Sequence, residues 1–199
     1  MVARSIAPRI GVLGGTFDPP HIGHLIIAEQ ARQQLHLDRV LFVPAHIPPH
    51  KKNGATASPQ QRLTMVEQAI AQSPAFEVSP IEIRRLGISY TIDTLRELRE
   101  IYRRAKFFLI VGGDNFAGFR NWKSVGDILK LATIVVYKRN AVRKRATIVH
   151  PGKVVYLKGA WLDISSTLIR GKIRNAESIR FLVPDQVAKF IRKSGLYLR

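Results

Sequence analysis

Four stretches of this sequence are apolar almost from end to end: Arg9–Leu13 (RIGVL), Arg39–Val43 (RVLFV), Lys106–Val111 (KFFLIV) and Thr133–Tyr137 (TIVVY). A strand with one face in water alternates apolar and polar residues. An unbroken apolar run of strand length implies cover on both faces, which is the condition of strands inside a parallel sheet. Parallel strands in turn need long crossovers between them.

The segments between the runs have the spacing that crossovers require. Ile22–Leu35 repeats Ile27, Ala31 and Leu35 at helical intervals, and Pro19 and Pro20 mark its entry. Ser58-Pro59 opens a second helix through about Ala71, with serine as cap and proline in the first turn. Thr91–Arg103, Ser124–Leu131, Ser166–Gly171 and Pro184–Ser194 read as further helices, and Phe76–Val78 and Lys153–Leu157 as short strands. Ser79–Tyr90 (SPIEIRRLGISY) reads as a long connection. Strand and helix alternate throughout, so the expected fold class is α/β: a Rossmann-like doubly wound parallel sheet. The 199 residues are expected to form a single domain over 1–199, with a small C-terminal helical portion at about 164–199.

In such a sheet, ligands bind beyond the carboxyl ends of the strands. Three chemically loaded segments fall there: Gly14–His24 after the first strand, Pro44–Lys52 after the second, and Gly112–Asn115 after KFFLIV. The first, GGTFDPPHIGH, sets small residues before a helix, where free backbone N–H groups and the helix dipole favour an anion. It is neither GxGxxG nor GxxxxGK[ST]. His21 and His24 share one helix face. Zinc is open to them by spacing, but neither HExxH nor any cysteine supplies further ligands. Phosphate is the other reading, since an imidazole N–H donates to phosphate oxygens.

Ile164–Arg170 (ISSTLIR) places hydroxyls at a helix start and an arginine one turn on, as a second anion cradle or as ordinary capping. PPHKK puts His50, Lys51 and Lys52 on the ligand side, where solvated surface is the plainer reading. Lysine and arginine total 32 against 14 acids, a net charge of +18, with a dense stretch at Lys138–Arg145 (KRNAVRKR). Such a surface attracts polyanions and steers anionic ligands. There is no cysteine, hence no disulfide, zinc-thiolate or cysteine nucleophile. No apolar run approaches ~20 residues and the N-terminus lacks a signal-peptide core, so no membrane partner and a cytoplasmic location are expected.

Taken together, GGTFDPPHIGHL, ISSTLIR, PPHK, IEIRRLGISYTIDTL, GGDNF, Trp122 and FLVPDQVAKFIRKSGLYL resemble the nicotinate-nucleotide adenylyltransferases of the HxGH nucleotidyltransferase superfamily, over about residues 9–198. The resemblance implies transfer of AMP from ATP to nicotinate mononucleotide in NAD biosynthesis, giving deamido-NAD and pyrophosphate without a covalent enzyme intermediate. It implies Mg²⁺ carried by ATP, with no dedicated protein cage and no protein metal ligands. It assigns catalysis to His21, His24, Lys51 and Arg170. ATP binding falls to Gly14, Gly15, Thr16, His21, His24, Asp114, Ser165, Ser166, Thr167 and Arg170. The nicotinate nucleotide falls to Phe17, Asp18, Lys51, Tyr90, Thr91 and Trp122.

Pro20 stands where the family pattern has a branched apolar residue, and Arg139 stands in a loop far more basic than the family's. Pantetheine-phosphate adenylyltransferases and cytidylyltransferases share HxGH but not the SYT, Asp-Asn and Trp elements. Class I aminoacyl-tRNA synthetases share a similar signature but need a longer chain. Aromatics are 8% without a stacking pattern, so nucleic acid is expected to bind only non-specifically. A monomer or small homo-oligomer is expected.

Overall fold

The computed structural model describes residues 7–49, 55–137, 153–159 and 162–198. Among these, six strands form one sheet: β1 (Arg9–Gly15), β2 (Arg39–Pro44), β3 (Phe76–Val78), β4 (Lys106–Gly112), β5 (Ala132–Tyr137) and β6 (Val154–Tyr156). Every pairing is parallel and the order is β3-β2-β1-β4-β5-β6. The direction of winding reverses between β1 and β4, which is where a doubly wound sheet opens its ligand crevice.

The helices are α1 (Ile22–Gln34), α2 (Pro59–Ile70), α3 (Ile81–Arg85), α4 (Thr91–Ile101), α5 (Gly113–Ala117), α6 (Val125–Leu131), α7 (Ser166–Arg174) and α8 (Asp185–Lys193), with a 3-10 turn at Phe119–Asn121. Successive strand residues point to opposite faces. Ile10, Val12, Leu41, Val43, Phe107, Leu109, Val111, Ile134 and Val136 therefore pack with Ile92, Leu95 and Leu98 of α4 and Ile128 of α6. The residues between them, Leu13, Val40, Phe42, Phe108, Ile110 and Val135, pack with Ala28 and Ala31 of α1 and Val66 and Ile70 of α2. Both faces are covered, which accounts for the unbroken apolar runs. A third cluster, with Met65, Ile169, Val183, Val187, Ile191 and Tyr197, fastens α7 and α8 to α2.

Two differences from the sequence expectation bear on the site. Gly14 and Gly15 are the last residues of β1, paired with Val43 and Pro44, so the turn begins at Thr16. The connection Ser79–Tyr90 contains α3, which buries Ile81 and Glu82. At 5 residues it is too short for its periodicity to show in the sequence. Smaller differences lie at element ends: α4 stops at Ile101, where Tyr102 N–H closes onto Leu98 O, and α7 runs on to Arg174.

Candidate active site

The loop after β1 is held from inside. Phe17 takes a left-handed backbone, φ 51°, uncommon for a bulky residue. Its buried ring packs edge-on to His24, centroids 4.9 Å apart, and against Phe42 at 5.8 Å. A Cβ on residue 15 would stand 3.0 Å from that ring, so the close approach demands glycine there. After Asp18-Pro19, a cis peptide, the chain enters α1 with His21 as its N-cap.

His21 is 2% exposed and its ring stacks on His24, centroids 3.7 Å apart. The His21 backbone N–H donates to His24 Nδ1 at 3.1 Å. A neutral imidazole that accepts at Nδ1 carries its proton on Nε2, so the tautomer of His24 is set by the backbone of its neighbour. A Cβ at Gly23 would lie 3.0 Å from His21 Nδ1. The glycine within His21-Ile22-Gly23-His24 is there because the His21 ring folds over it.

The second motif is bonded to the first. Ser166 Oγ donates to Pro19 O at 2.8 Å, and Arg170 Nη1 donates to Asp18 O at 2.8 Å. Ile22 N–H donates to Leu182 O at 3.0 Å, adding a tie from the C-terminal helices. Ser165 Oγ accepts from Leu168 N–H as the cap of α7. The hydroxyls of Ser165 and Ser166 are thus engaged within the protein. Arg170 retains donors beyond those used on Asp18 O and on Thr167 Oγ1, the latter at 3.4 Å.

Asp18 lies at the centre of this seam. It is 1% exposed. Its carboxylate accepts from Thr56 N–H at 2.8 Å, Ala57 N–H at 3.0 Å and Tyr197 O–H at 2.8 Å, with Arg170 Nη1 at 3.9 Å. Burial, with the Asp18 carboxylate second, pushes the Tyr197 phenol well above its ordinary value and keeps it a donor. Asp18 is a hub for the loops around it, and its oxygens are already engaged by protein donors.

On the other side of β1, the segment after β2 pairs with the segment before α4. Ala45 N–H donates to Gly15 O, Ser89 N–H donates to Ile47 O, both at 2.9 Å, and Ile47 and Ile88 form a parallel bridge. His46 N–H donates to Ser89 Oγ at 2.9 Å. This fixes Tyr90 and Thr91, the N-cap and first residue of α4. Tyr90 and Trp122 are half-buried against the same apolar cluster, and Lys123 Nζ sits 4.5 Å from the Tyr90 ring centroid while pairing with Asp93 at 3.0 Å. Asp114 is exposed in the first turn of α5, just past the carboxyl end of β4. Lys51 lies outside the described residues, as do His50, Lys52 and the basic stretch 138–145.

Two buried charges here went unnoticed in the sequence. Glu82 accepts from Thr94 Oγ1 at 2.6 Å and also bonds Ser89. Burial pushes its carboxyl above the usual range, against the bonds from Thr94 and Ser89 and the charge of Arg85. Arg62 is fully buried on α2 and donates to Ala57 O, Thr16 O and His46 O at 3.2, 2.8 and 3.0 Å. Burial lowers its pKa, while the charge of Asp18 holds it up. A signal for Arg62 was present: it falls on the stripe of Val66 and Ile70 at intervals of four, and a charge on an apolar stripe must be engaged internally. Among the described residues, no group of three or more histidine, cysteine or acidic side chains could hold a metal, and no helix is long and apolar enough to cross a membrane.

Comparison with known proteins gives the family and the fold. A cytidylyltransferase-like family model matches residues 12–172. A protein of Oceanobacillus iheyensis named "Probable nicotinate-nucleotide adenylyltransferase" is 38% identical over 189 residues, covering 95% of this chain and 96% of its own length. A protein of the same name from Dictyoglomus thermophilum is 40% identical over 195 residues, covering 96% of this chain and 100% of its own. The nicotinic acid mononucleotide adenylyltransferase of Plasmodium falciparum, solved in complex with NaAD, matches with a TM-score of 0.80 at 17% identity over 96% of this chain and 97% of that one, a likeness of fold. The chain belongs to the nicotinate-nucleotide adenylyltransferase family of cytidylyltransferase-like nucleotidyltransferases.

Proposed function

We propose that the chain transfers AMP from ATP to nicotinate mononucleotide, forming deamido-NAD and releasing pyrophosphate, in the cytoplasm. The observation that carries this reading is the bonding of ISSTLIR onto the histidine loop, through Ser166 to Pro19 and Arg170 to Asp18, across 147 and 152 residues of sequence. These bonds bring the histidine loop, the start of α7 and Arg170 together beyond the carboxyl end of β1, beside the point where the winding of the sheet reverses.

Transfer of this kind asks a protein for alignment and charge stabilisation. A 5′-phosphate oxygen of the mononucleotide attacks the α-phosphorus of ATP in line. The bond from that phosphorus to the bridging oxygen breaks, and pyrophosphate leaves with the electron pair. His24, with its proton on Nε2, donates to the α-phosphate, and His21 packs behind it and contacts the phosphates from the same face. Arg170, Thr167 and the first N–H groups of α7 hold the β and γ phosphates. Ser165 and Ser166 shape that helix start through their capping and anchoring bonds. Lys51 reaches a phosphate. Gly14, Gly15 and Thr16 let the backbone approach the nucleotides, and Asp114 takes the ribose hydroxyls. Trp122 stacks on the nicotinate ring, Tyr90 and Thr91 address its carboxylate, and Phe17 and Asp18 hold the loop between the two nucleotides. Mg²⁺ carried by ATP would supply further positive charge at the phosphates, beside that of Arg170 and Lys51.

The test is pyrophosphate release from ATP with nicotinate and nicotinamide mononucleotide in turn. Turnover with the acid at a higher kcat/KM is expected. No release with either overturns the reaction, and equal kcat/KM overturns the substrate assignment. His24→Ala should lower kcat by ~10²–10³ with the fold retained, the usual effect of removing one preorganised donor.

A further inference from the structure

Arg62 belongs to none of the recognised motifs and does not reach the surface, yet its bonds end on separate site loops. The planar guanidinium donates to Thr16 O at 2.8 Å, His46 O at 3.0 Å and Ala57 O at 3.2 Å. Each partner is a backbone carbonyl. A buried cation is a poor source of stability, since an apolar residue of similar volume usually serves as well. What the guanidinium supplies is a rigid fork that fixes several acceptors at once.

Those acceptors lie on both sides of the site. Thr16 begins the loop that carries Phe17, His21 and His24. His46 hands on, through its N–H to Ser89 Oγ and the Ile47–Ile88 bridge, to Tyr90 and Thr91. Ala57 donates its own N–H to Asp18, whose carbonyl accepts from Arg170. We propose that Arg62 is a positioning residue that locks the phosphate loop at Thr16 and the nicotinate loop at His46 into one register, so that nucleotides held on different loops meet in line. This rests on the function proposed above.

Arg62→Lys keeps the charge but offers one compact ammonium in place of the fork. Each loop still binds its own nucleotide, so KM for each should change little. The kcat should fall on the order of 10²-fold, as for a misplacement near 1 Å. A merely stabilising arginine would lower Tm and leave kcat alone at temperatures well below Tm. Ile70→Ala, two turns along α2 from Arg62, is the control: it should lower Tm and keep kcat. Wild-type kcat in Arg62→Lys overturns the proposal, as does an equal loss of kcat in Ile70→Ala.

If Arg62→Lys fails to fold, Ser89→Ala removes the bond from His46 N–H, together with the Ser89 bond to Glu82, and leaves Arg62 in place; an unchanged kcat there overturns the proposal. Amide hydrogen exchange in the ligand-free protein gives a readout independent of turnover. Residues 14–18 and 45–47 should exchange faster together in Arg62→Lys, and unchanged exchange at either segment refutes the coupling. A wild type without turnover would sink the proposed reaction while this exchange result still decides the role of Arg62.

Discussion

Gly23→Ala should separate activity from stability. The added Cβ would stand 3.0 Å from His21 Nδ1 and 3.2 Å from its Cε1, with Ile164 Cβ at 3.9 Å. Carbon and nitrogen atoms settle near ~3.5 Å, so the ring must retreat by roughly 0.5 Å. It cannot retreat into solvent, because His21 is buried and stacked on His24 at 3.7 Å. The displacement passes to His24, and it also disturbs the bond from His21 N–H to His24 Nδ1. A 1 Å misplacement can cost ~10² in rate, so half that displacement gives about a tenfold loss of kcat/KM, or ~1.4 kcal/mol in the barrier. Stability moves the other way or stays level. Alanine is favoured over glycine in a helix by up to ~1 kcal/mol, which offsets the strain. The assay is steady-state pyrophosphate release beside thermal unfolding of the same preparation. Wild-type kcat/KM would refute the reasoning. So would a Tm loss beyond about 4 °C, which would mean that ~1 kcal/mol or more of folding energy, and not local geometry, had been disturbed.

Other substitutions test other parts of the site. Trp122→Ala should raise KM for nicotinate mononucleotide by roughly 10–100-fold, the worth of one ring stack, and leave KM for ATP unchanged in the same assay. Asp18→Asn replaces an acceptor engaged by Thr56, Ala57 and Tyr197 with a group that must turn its own N–H toward donors, and should destabilise by about 2–3 kcal/mol in denaturant titration. Glu82→Gln should stabilise. The folded-state pKa of Glu82 is raised by burial, so the wild type is most favoured with the group protonated and loses stability as pH rises past the ordinary value of 4.5. The amide oxygen of the substituted side chain can still accept from Thr94, so the two proteins should match near pH 4 and the variant should gain steadily above it. Equal unfolding curves at pH 8 would contradict that.

Much of the fold was legible because parallel sheets leave a strong trace. The runs at β1, β2, β4 and β5 are apolar on both faces, and the intervals between them hold amphipathic helices. The candidate site was legible where the role proposed for a residue lies in its own chemistry, as with His21, His24 and Arg170. It was hidden where a residue acts through backbone carbonyls far away in sequence. Arg62 bonds to Thr16 at a separation of 46 residues; the apolar stripe of α2 marks Arg62 as engaged internally, but nothing local marks Thr16 as its partner. The resemblance places Asp18 at the nicotinate nucleotide; the bonds of its carboxylate to Thr56, Ala57 and Tyr197 are long-range and leave no trace in the sequence. The ring of His21 occupies the room a side chain on Gly23 would need.

The bond from Tyr197 to Asp18 spans 179 residues and also has a meaning in time. A ribosome delivers the histidine loop early, and β1, β2 and β4 can pair long before α8 is made. The carboxylate that steadies the loop meets its hydroxyl partner only after α8 has been made. Closing so long a span adds little entropy beyond that of a shorter one, so the delay costs almost nothing in final stability. Its effect is on order of assembly. The nascent chain has a sheet well before this bond can form, and the segment that follows α8 steadies the first loop.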